Sequence, residues 1–144
     1  MKRFALFKKA RNVPKNARCI YCGGRAQVVE HVLPSLKPHK LDWNERFSCV
    51  PCNGTKGARQ SRTFDVKEFM DILAKHPWVN AHMKSVPVGR ETGNDMWYRW
   101  YSQFKQGLDR LSWRDFDLVC QVALAMHEAD DPIRASLGEN WHTN

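Results

Sequence analysis

The chain has 144 residues, enough for one domain or for a small module with an extension. Its formal net charge of +8 favours a polyanionic partner such as nucleic acid. The apolar run at residues 4–7 is too short for a secretory signal, and no run approaches the ~20 apolar residues that cross a membrane. We therefore expect a protein that does not bind membranes and acts in the cytoplasm, or in the host cytoplasm if it is phage-encoded.

The positive charge is concentrated in the first 62 residues. This part carries 14 of the 23 lysines and arginines against three acidic residues, a net charge of +11, and the remainder has a net charge of −3. If nucleic acid binds, we expect it to bind the first part. The alternative is a basic face that serves only solubility, because charge by itself does not specify function.

Residues 1–18 are predicted to form a basic arm with few apolar anchors. Its cations can follow a phosphate backbone without reading sequence. The residues expected to contact DNA are Lys8, Lys9 and Arg11. A solvated terminus without a partner is equally compatible with this composition.

Two Cys-x-x-Cys pairs, Cys19/Cys22 and Cys49/Cys52, follow the arm. In a reducing compartment, paired cysteines indicate a metal site ahead of disulfides. Four thiolates form a closed tetrahedral shell, so the pattern predicts structural Zn²⁺. Such a clamp is needed because two short strands and one helix bury little apolar surface. Four free or redox thiols are the alternative, but the thioredoxin-like context is lacking.

Between and after these pairs, turn signals separate short elements. Gly23 and Gly24 permit the positive φ of a tight turn. Valine-rich residues and flanking prolines then indicate a hairpin that leads into a helix. The predicted elements are a strand over residues 26–33, a loop over 34–44, a strand over 46–50 and a short helix over 51–59.

From residue 61 onward the periodicity indicates helices. They are predicted over residues 64–76 with Ser61 or Thr63 as cap, over 94–106, and over 112–129, with 77–93 irregular and the end after 138 loose. Ser112 and Asp115 have capping-box spacing. Cys120 is expected to fill the core. An aromatic stripe on the second helix (Trp97, Trp100, Tyr101 and Phe104) indicates core or a dimer face rather than a surface for stacking bases.

Inside the cysteine clamp lies a further set of residues in a defined order. Glu30-His31 is followed by Pro34, then by Asn44 five residues before Cys49. Asn53 directly follows the last cysteine, and Lys56-Gly57 comes next. Over residues 19–57 this arrangement resembles the HNH endonuclease family, whose core is a ββα-metal fold.

The resemblance implies hydrolysis of DNA, expected to be double-stranded, by nicking or by double-strand cleavage. It makes His31 the general base, a role that suits an imidazole near neutral pH. Asn44 would orient the His31 region, and Glu30 and Asn53 would bind one catalytic Mg²⁺ or Mn²⁺. Three cations on the following helix are expected to hold the DNA backbone: Lys56, Arg59 and Arg62.

Two positions depart from the common family pattern. Glu30 stands where Asp is more frequent, and Asn53 stands where His is frequent. Neither change removes the base, so we expect activity. His39 is a rival base, but it lies in a Pro-Lys loop without an acidic neighbour.

We therefore expect an α+β fold in three parts. These are a basic arm (1–18), a ββα-metal core (19–62) and a helical extension (63–144). The extension would pack on the core, or form a homodimer or partner interface. The alternative function is a zinc-containing module without catalysis, which binds nucleic acid or serves as an adaptor.

Overall fold

The structure is a computed structural model that describes residues 13–89 and 93–138. The predicted DNA contacts Lys8, Lys9 and Arg11 lie outside these residues. The described part contains a two-stranded antiparallel sheet and mostly helical structure, so the α+β prediction is confirmed. None of its helices has the length and hydropathy that a bilayer crossing requires.

The order of elements begins with a hairpin and continues with helices. The strands are β1 (Val28–His31) and β2 (Glu45–Ser48), and the helices are α1 (Val50–Lys56), α2 (Val66–Lys75), α3 (Pro77–Met83), α4 (Asn94–Lys105), α5 (Trp113–His127) and α6 (Asp131–Leu137). We call residues 19–62 the ββα part and residues 63–138 the helical part.

The hairpin is shorter and its connection more regular than predicted. The chain after β1 turns into a 3₁₀ helix, Pro34–His39, and a second one, Asp42–Asn44, leads into β2. Pro34 stands in the first turn of its helix, where its missing N–H leaves no hydrogen bond unmade. The segment predicted as a loop is therefore held in a fixed path above the hairpin.

The strand register decides which side chains share a face. Val29 lies opposite Phe47, and His31 lies opposite Glu45. Directly opposed residues point to the same side of a sheet, and every second residue shares that side. These four residues therefore form the outer face of the hairpin, whereas Glu30, between them in β1, is buried on the other face.

Local capping explains where the helices begin. Ser112 accepts a hydrogen bond from the backbone N–H of Asp115 at 3.1 Å, as the capping pattern predicts. Helix α2 is capped by Asp65 rather than by Ser61 or Thr63, because the Asp65 carboxylate accepts the N–H of Glu68 at 2.9 Å.

Two short helices occupy segments for which the sequence predicts none. Helix α3 lies within residues 77–93, and α6 precedes the predicted loose end. Both begin with proline in the first turn, where its fixed φ suits a helix. In these segments proline marks a helix start rather than irregular chain.

A continuous hydrophobic core joins the two parts. It runs from Cys19 and Trp43 in the ββα part to Phe69 and most of α5 in the helical part. Trp43 packs edge-on against Phe69, with ring centroids 6.2 Å apart, and its Nε1 donates to Asn80 Oδ1 at 2.7 Å. Helix α1 packs on α6, so the helical part supports the hairpin from behind.

The aromatic stripe on α4 contributes to this core. Trp100 and Phe104 are buried, and their rings stack on each other with centroids 5.2 Å apart. Phe104 also stacks on Phe116 of α5 at 5.0 Å. Phe104 thus packs α4 against α5, whereas Trp100 packs on His82 of α3 with ring centroids 4.9 Å apart.

Candidate functional site

The four predicted cysteines form one cluster. Their Sγ atoms all lie within 4.8 Å of one another, and those of Cys22 and Cys49 are 3.7 Å apart. Two sulfurs ~2.3 Å from a tetrahedral zinc ion lie roughly 3.8 Å apart. A disulfide would place them at ~2.05 Å instead. The cluster can therefore hold a metal ion such as zinc.

Backbone N–H groups point at the sulfur atoms of this cluster. The contacts are Tyr21 N to Cys19 Sγ at 3.4 Å, Gly24 N to Cys22 Sγ at 3.4 Å and Cys52 N to Cys49 Sγ at 3.3 Å. Burial would raise the pKa of the Cys19 thiol, but the backbone hydrogen bonds outweigh burial and the pKa is lowered. Burial raises the pKa of Cys52, so its thiolate needs a cation.

Gly23 adopts φ 77° in the turn between these ligands. This conformation closes the loop, with the Gly23 N–H bonded to Cys19 O at 2.9 Å and the Cys19 N–H bonded to Gly24 O at 2.6 Å. Glycine adopts positive φ without steric cost. Of the two glycines expected to permit a positive φ, it is therefore Gly23 that adopts one.

Three of the predicted catalytic residues line one open pocket of about 300 Å³. Glu30 and His31 come from the end of β1, and Asn53 comes from α1, directly after the last cysteine. Helix α1 starts at Val50, and the Cys49 sulfur accepts an N–H of its first turn. The cysteine cluster therefore fixes the position of Asn53 relative to the hairpin.

Glu30 is held in a buried polar network. Its side chain is 3% exposed, and the Tyr21 hydroxyl donates a hydrogen bond to Oε1. Oε2 lies 3.6 Å from Lys56 Nζ and has no hydrogen-bond partner among the described residues. Burial raises the pKa of the Glu30 carboxyl group, and the Lys56 ammonium opposes this rise.

The predicted DNA contact at Lys56 is corrected by the structure. Its side chain is 1% exposed, and Nζ faces Glu30 and the carbonyl oxygen of His31 at 3.5 Å. Burial lowers the pKa of this ammonium, although Glu30 counteracts the effect. A lysine enclosed in this way cannot reach a DNA backbone. It serves instead as a buried counter-ion to Glu30.

Arg59 and Arg62 do not lie on the helix predicted to carry them. Helix α1 ends at Lys56, where Gly57 adopts φ 57°. Arg59 is exposed, and its Nε donates to Lys56 O at 3.2 Å. Arg62 binds Glu128 through two hydrogen bonds, at 2.7 and 3.3 Å, which joins the ββα part to the end of α5.

Asn44 joins the two ends of the connection between the strands. It is fully buried, its Oδ1 accepts the N–H of Leu33 at 2.8 Å, and its Nδ2 donates to Leu33 O at 3.0 Å. Leu33 is two residues after His31. The amide thus fixes the backbone that follows the histidine.

His31 is 23% exposed, and its Nε2 lies 3.9 Å from Glu45 Oε2. Glu45 was not singled out from the sequence, although pairing the two strands in the observed register would have revealed it. Tyr21 was missed as well, because an aromatic residue inside Cys-x-x-Cys carries no signal of its own. The rival base His39 is exposed at the end of its 3₁₀ helix.

The four cysteines lie together, and Glu30, His31 and Asn53 line one pocket beside them. Asn44 supports that pocket through the backbone. No protein-family model, no curated protein and no solved structure matches this chain.

Proposed function

We propose that the chain is an HNH-type endonuclease that hydrolyses phosphodiester bonds in DNA. The observation that carries this proposal is the meeting of Glu30, His31 and Asn53 in one open pocket beside the four-cysteine cluster. A zinc site used only as a clamp has no need for this set. The resemblance in the order of these residues supports the same conclusion.

In this proposal the cysteine cluster holds a structural zinc ion. All four protein ligands are thiolates, so no coordination position is left for substrate. The cluster ties the turn before β1 to the start of α1. Strand β1 carries His31, and helix α1 carries Asn53. Its contribution is the geometry of the pocket.

His31 acts as the general base. The imidazole takes a proton from a water molecule as that water attacks phosphorus, and it then carries a positive charge. Glu45, 3.9 Å from Nε2, stabilises the charged ring. Asn44 keeps the following backbone in place, so the ring stays at the mouth of the pocket.

The oxygen atoms around the pocket fit a hard divalent cation. Glu30 Oε2 is buried without a hydrogen bond in the described part of the chain, and the Asn53 side chain offers an amide oxygen. When bound, Mg²⁺ or Mn²⁺ supplies positive charge to the phosphate and the departing 3′-oxygen. Lys56 opposes the rise that burial causes in the pKa of Glu30, and Tyr21 fixes the direction of its carboxyl group.

One observation favours the alternative of a zinc-containing module without catalysis. The Glu30 carboxylate already has a hydroxyl donor and an ammonium group, and its side chain is 3% exposed. This network accounts for Glu30 as a structural residue without a second metal ion. The two functions therefore differ in whether His31 is needed for a reaction.

Cleavage of supercoiled plasmid in Mg²⁺ or Mn²⁺ tests the proposal. We expect nicked or linear product with wild type and at least about a hundredfold less with His31→Ala, because a general base contributes roughly 10²–10⁴-fold. His39→Ala is the matched control and should cut like wild type, since it removes an exposed histidine outside the pocket. Equal cutting by wild type and His31→Ala would remove His31 as the base.

A further inference from the structure

A second and larger pocket of about 640 Å³ lies on the outer face of the hairpin. It adjoins the pocket that Glu30, His31 and Asn53 line, because Val29, His31 and Lys37 line both. Its volume is in the range of pockets that hold small organic ligands, roughly 300–1,000 Å³. A ligand here would lie directly beside His31.

The floor of this outer pocket is apolar. Val29 and Phe47 are opposed across the two strands and line the pocket together. Both are half-buried, yet in the described residues neither belongs to the hydrophobic core or packs against it. An aromatic ring left open at a sheet surface provides a stacking platform for a flat ligand.

The rim of the pocket is cationic. Lys37 and Lys40 are exposed and form no ion pair within residues 13–89 and 93–138. Arg46 also lines the pocket. The single acid, Glu45, lies at the end next to His31. The charge therefore complements a ligand that combines a flat apolar body with phosphate groups.

We propose that this outer pocket binds one unpaired nucleotide of the DNA substrate, next to the phosphate that is cleaved. The base rests on Phe47 and Val29, and the flanking phosphates contact Lys37 and Lys40. The inference deepens the proposed function and rests on it for the position of the cleaved phosphate at His31. The substrate is then single-stranded DNA, or a duplex with an unpaired nucleotide at the cut.

The chemistry of the pocket favours this occupant over the alternatives. In an intact duplex both faces of a base are covered by its neighbours, so only a base outside the stack can lie on a side chain. The chain's own residues 1–12 carry five cations and no acid, so the rim would repel them. A second copy of the chain would bring the same positive charge.

Fluorescence anisotropy with labelled oligonucleotides, without added Mg²⁺ or Mn²⁺, tests the proposal. We expect wild type to bind a single strand more tightly than a duplex of the same length. Phe47→Leu, which keeps an apolar side chain but removes the ring, should weaken single-strand binding about tenfold, because stacking on an aromatic side chain is worth ~5- to 150-fold per base. Duplex binding should change less than about twofold.

Three controls identify the base as the cause. Tyr98→Ala removes an exposed aromatic residue on α4, away from the pocket, and should leave single-strand binding unchanged. Single strands without bases should bind wild type and Phe47→Leu equally. Lys37→Ala should weaken binding of strands with and without bases alike, since it contacts phosphate.

Other outcomes would overturn the inference. If Phe47→Leu weakened the binding of single strand and duplex equally, or weakened neither, Phe47 would not be a surface on which a base stacks. A large fall in melting temperature would mean that another part of the chain covers the ring, and a dimer that Phe47→Leu dissociates would identify a second copy. Base-dependent binding without cleavage of either plasmid or single-stranded DNA in Mg²⁺ or Mn²⁺ would refute the nuclease and leave the pocket. Cleavage without base-dependent binding would leave the nuclease and refute the pocket.

Discussion

The ββα part and the helical part are stabilised in different ways. Of the buried polar or charged side chains in the described residues, Glu30, Asn44, Ser48 and Lys56 lie in the ββα part, and Asp130 alone lies in the helical part. Buried polar groups lower stability unless their partners are in place. The helical part instead packs stacked rings and aliphatic side chains.

The two parts therefore contribute differently: the helical part mainly stabilises the fold, and the ββα part mainly sets the geometry of the pocket. The helical part contains most of the buried apolar side chains, whereas the ββα part combines its buried apolar side chains with most of the buried polar and charged ones. The ββα part also contains the four-cysteine cluster, which can hold a metal ion, and the paired polar groups around Glu30. Damage to the ββα part should therefore change the pocket strongly, whereas the helical part should retain structure.

The largest effect should come from Cys49→Ala. Loss of one ligand opens the thiolate cluster, and we expect the free energy of unfolding to fall by several kcal/mol, because structural zinc binding is coupled to folding. Zinc content by mass spectrometry and thermal unfolding measure this. The matched control is Cys120→Ala in α5, which removes a buried thiol outside the cluster and should leave zinc content unchanged. Unaltered melting of a zinc-free Cys49→Ala protein would contradict the comparison.

Lys56→Met should have the next largest effect. It leaves the buried Glu30 carboxylate without its ammonium partner, which costs roughly 3–5 kcal/mol when a buried pair is broken. The double variant Glu30→Gln/Lys56→Met removes both charges and should recover most of that loss. Urea unfolding with zinc present measures the free energy of unfolding of wild type, the single variant and the double variant. If the single and double variants were equally unstable, the pair would not be what the fold depends on.

Arg62→Ala should have the smallest effect on stability. Its side chain is 41% exposed, and solvent screens its pairing with Glu128, so the loss should be within ~1 kcal/mol. Arg114→Ala, which breaks a pair of the same geometry with Glu68 inside the helical part, is the control. Slower plasmid nicking by Arg62→Ala alone, at unchanged melting temperature, would support the original expectation that Arg62 holds DNA.

Much of the ββα part could be predicted because its signals are local. Cysteine spacing, the Gly-Gly turn and the valine-rich strand each act within a few residues, and the fold places them as expected. The capping of α5 by Ser112 is equally local. Helices α3 and α6 were missed because a proline in a first turn looks, in sequence, like a break.

The misplaced site residue has a tertiary cause. Lys56 lies one helical turn after Asn53, and nothing near it in the sequence shows that β1 brings a buried carboxylate against it. The exposed side of the same helix was the natural expectation for a lysine. Tyr21 and Glu45 likewise gain their significance only in the folded chain, where Tyr21 meets Glu30 and the strand pairing places Glu45 opposite His31.

Tyr21 lies between Cys19 and Cys22 of the cysteine cluster, and its hydroxyl donates a hydrogen bond to the buried Glu30 carboxylate. Oxidation of the sulfur atoms would therefore displace the hydroxyl group that orients Glu30, without involving the helical part. An oxidant would in this way alter the pocket while the helical part stays folded, and a reductant with added metal ion would restore it.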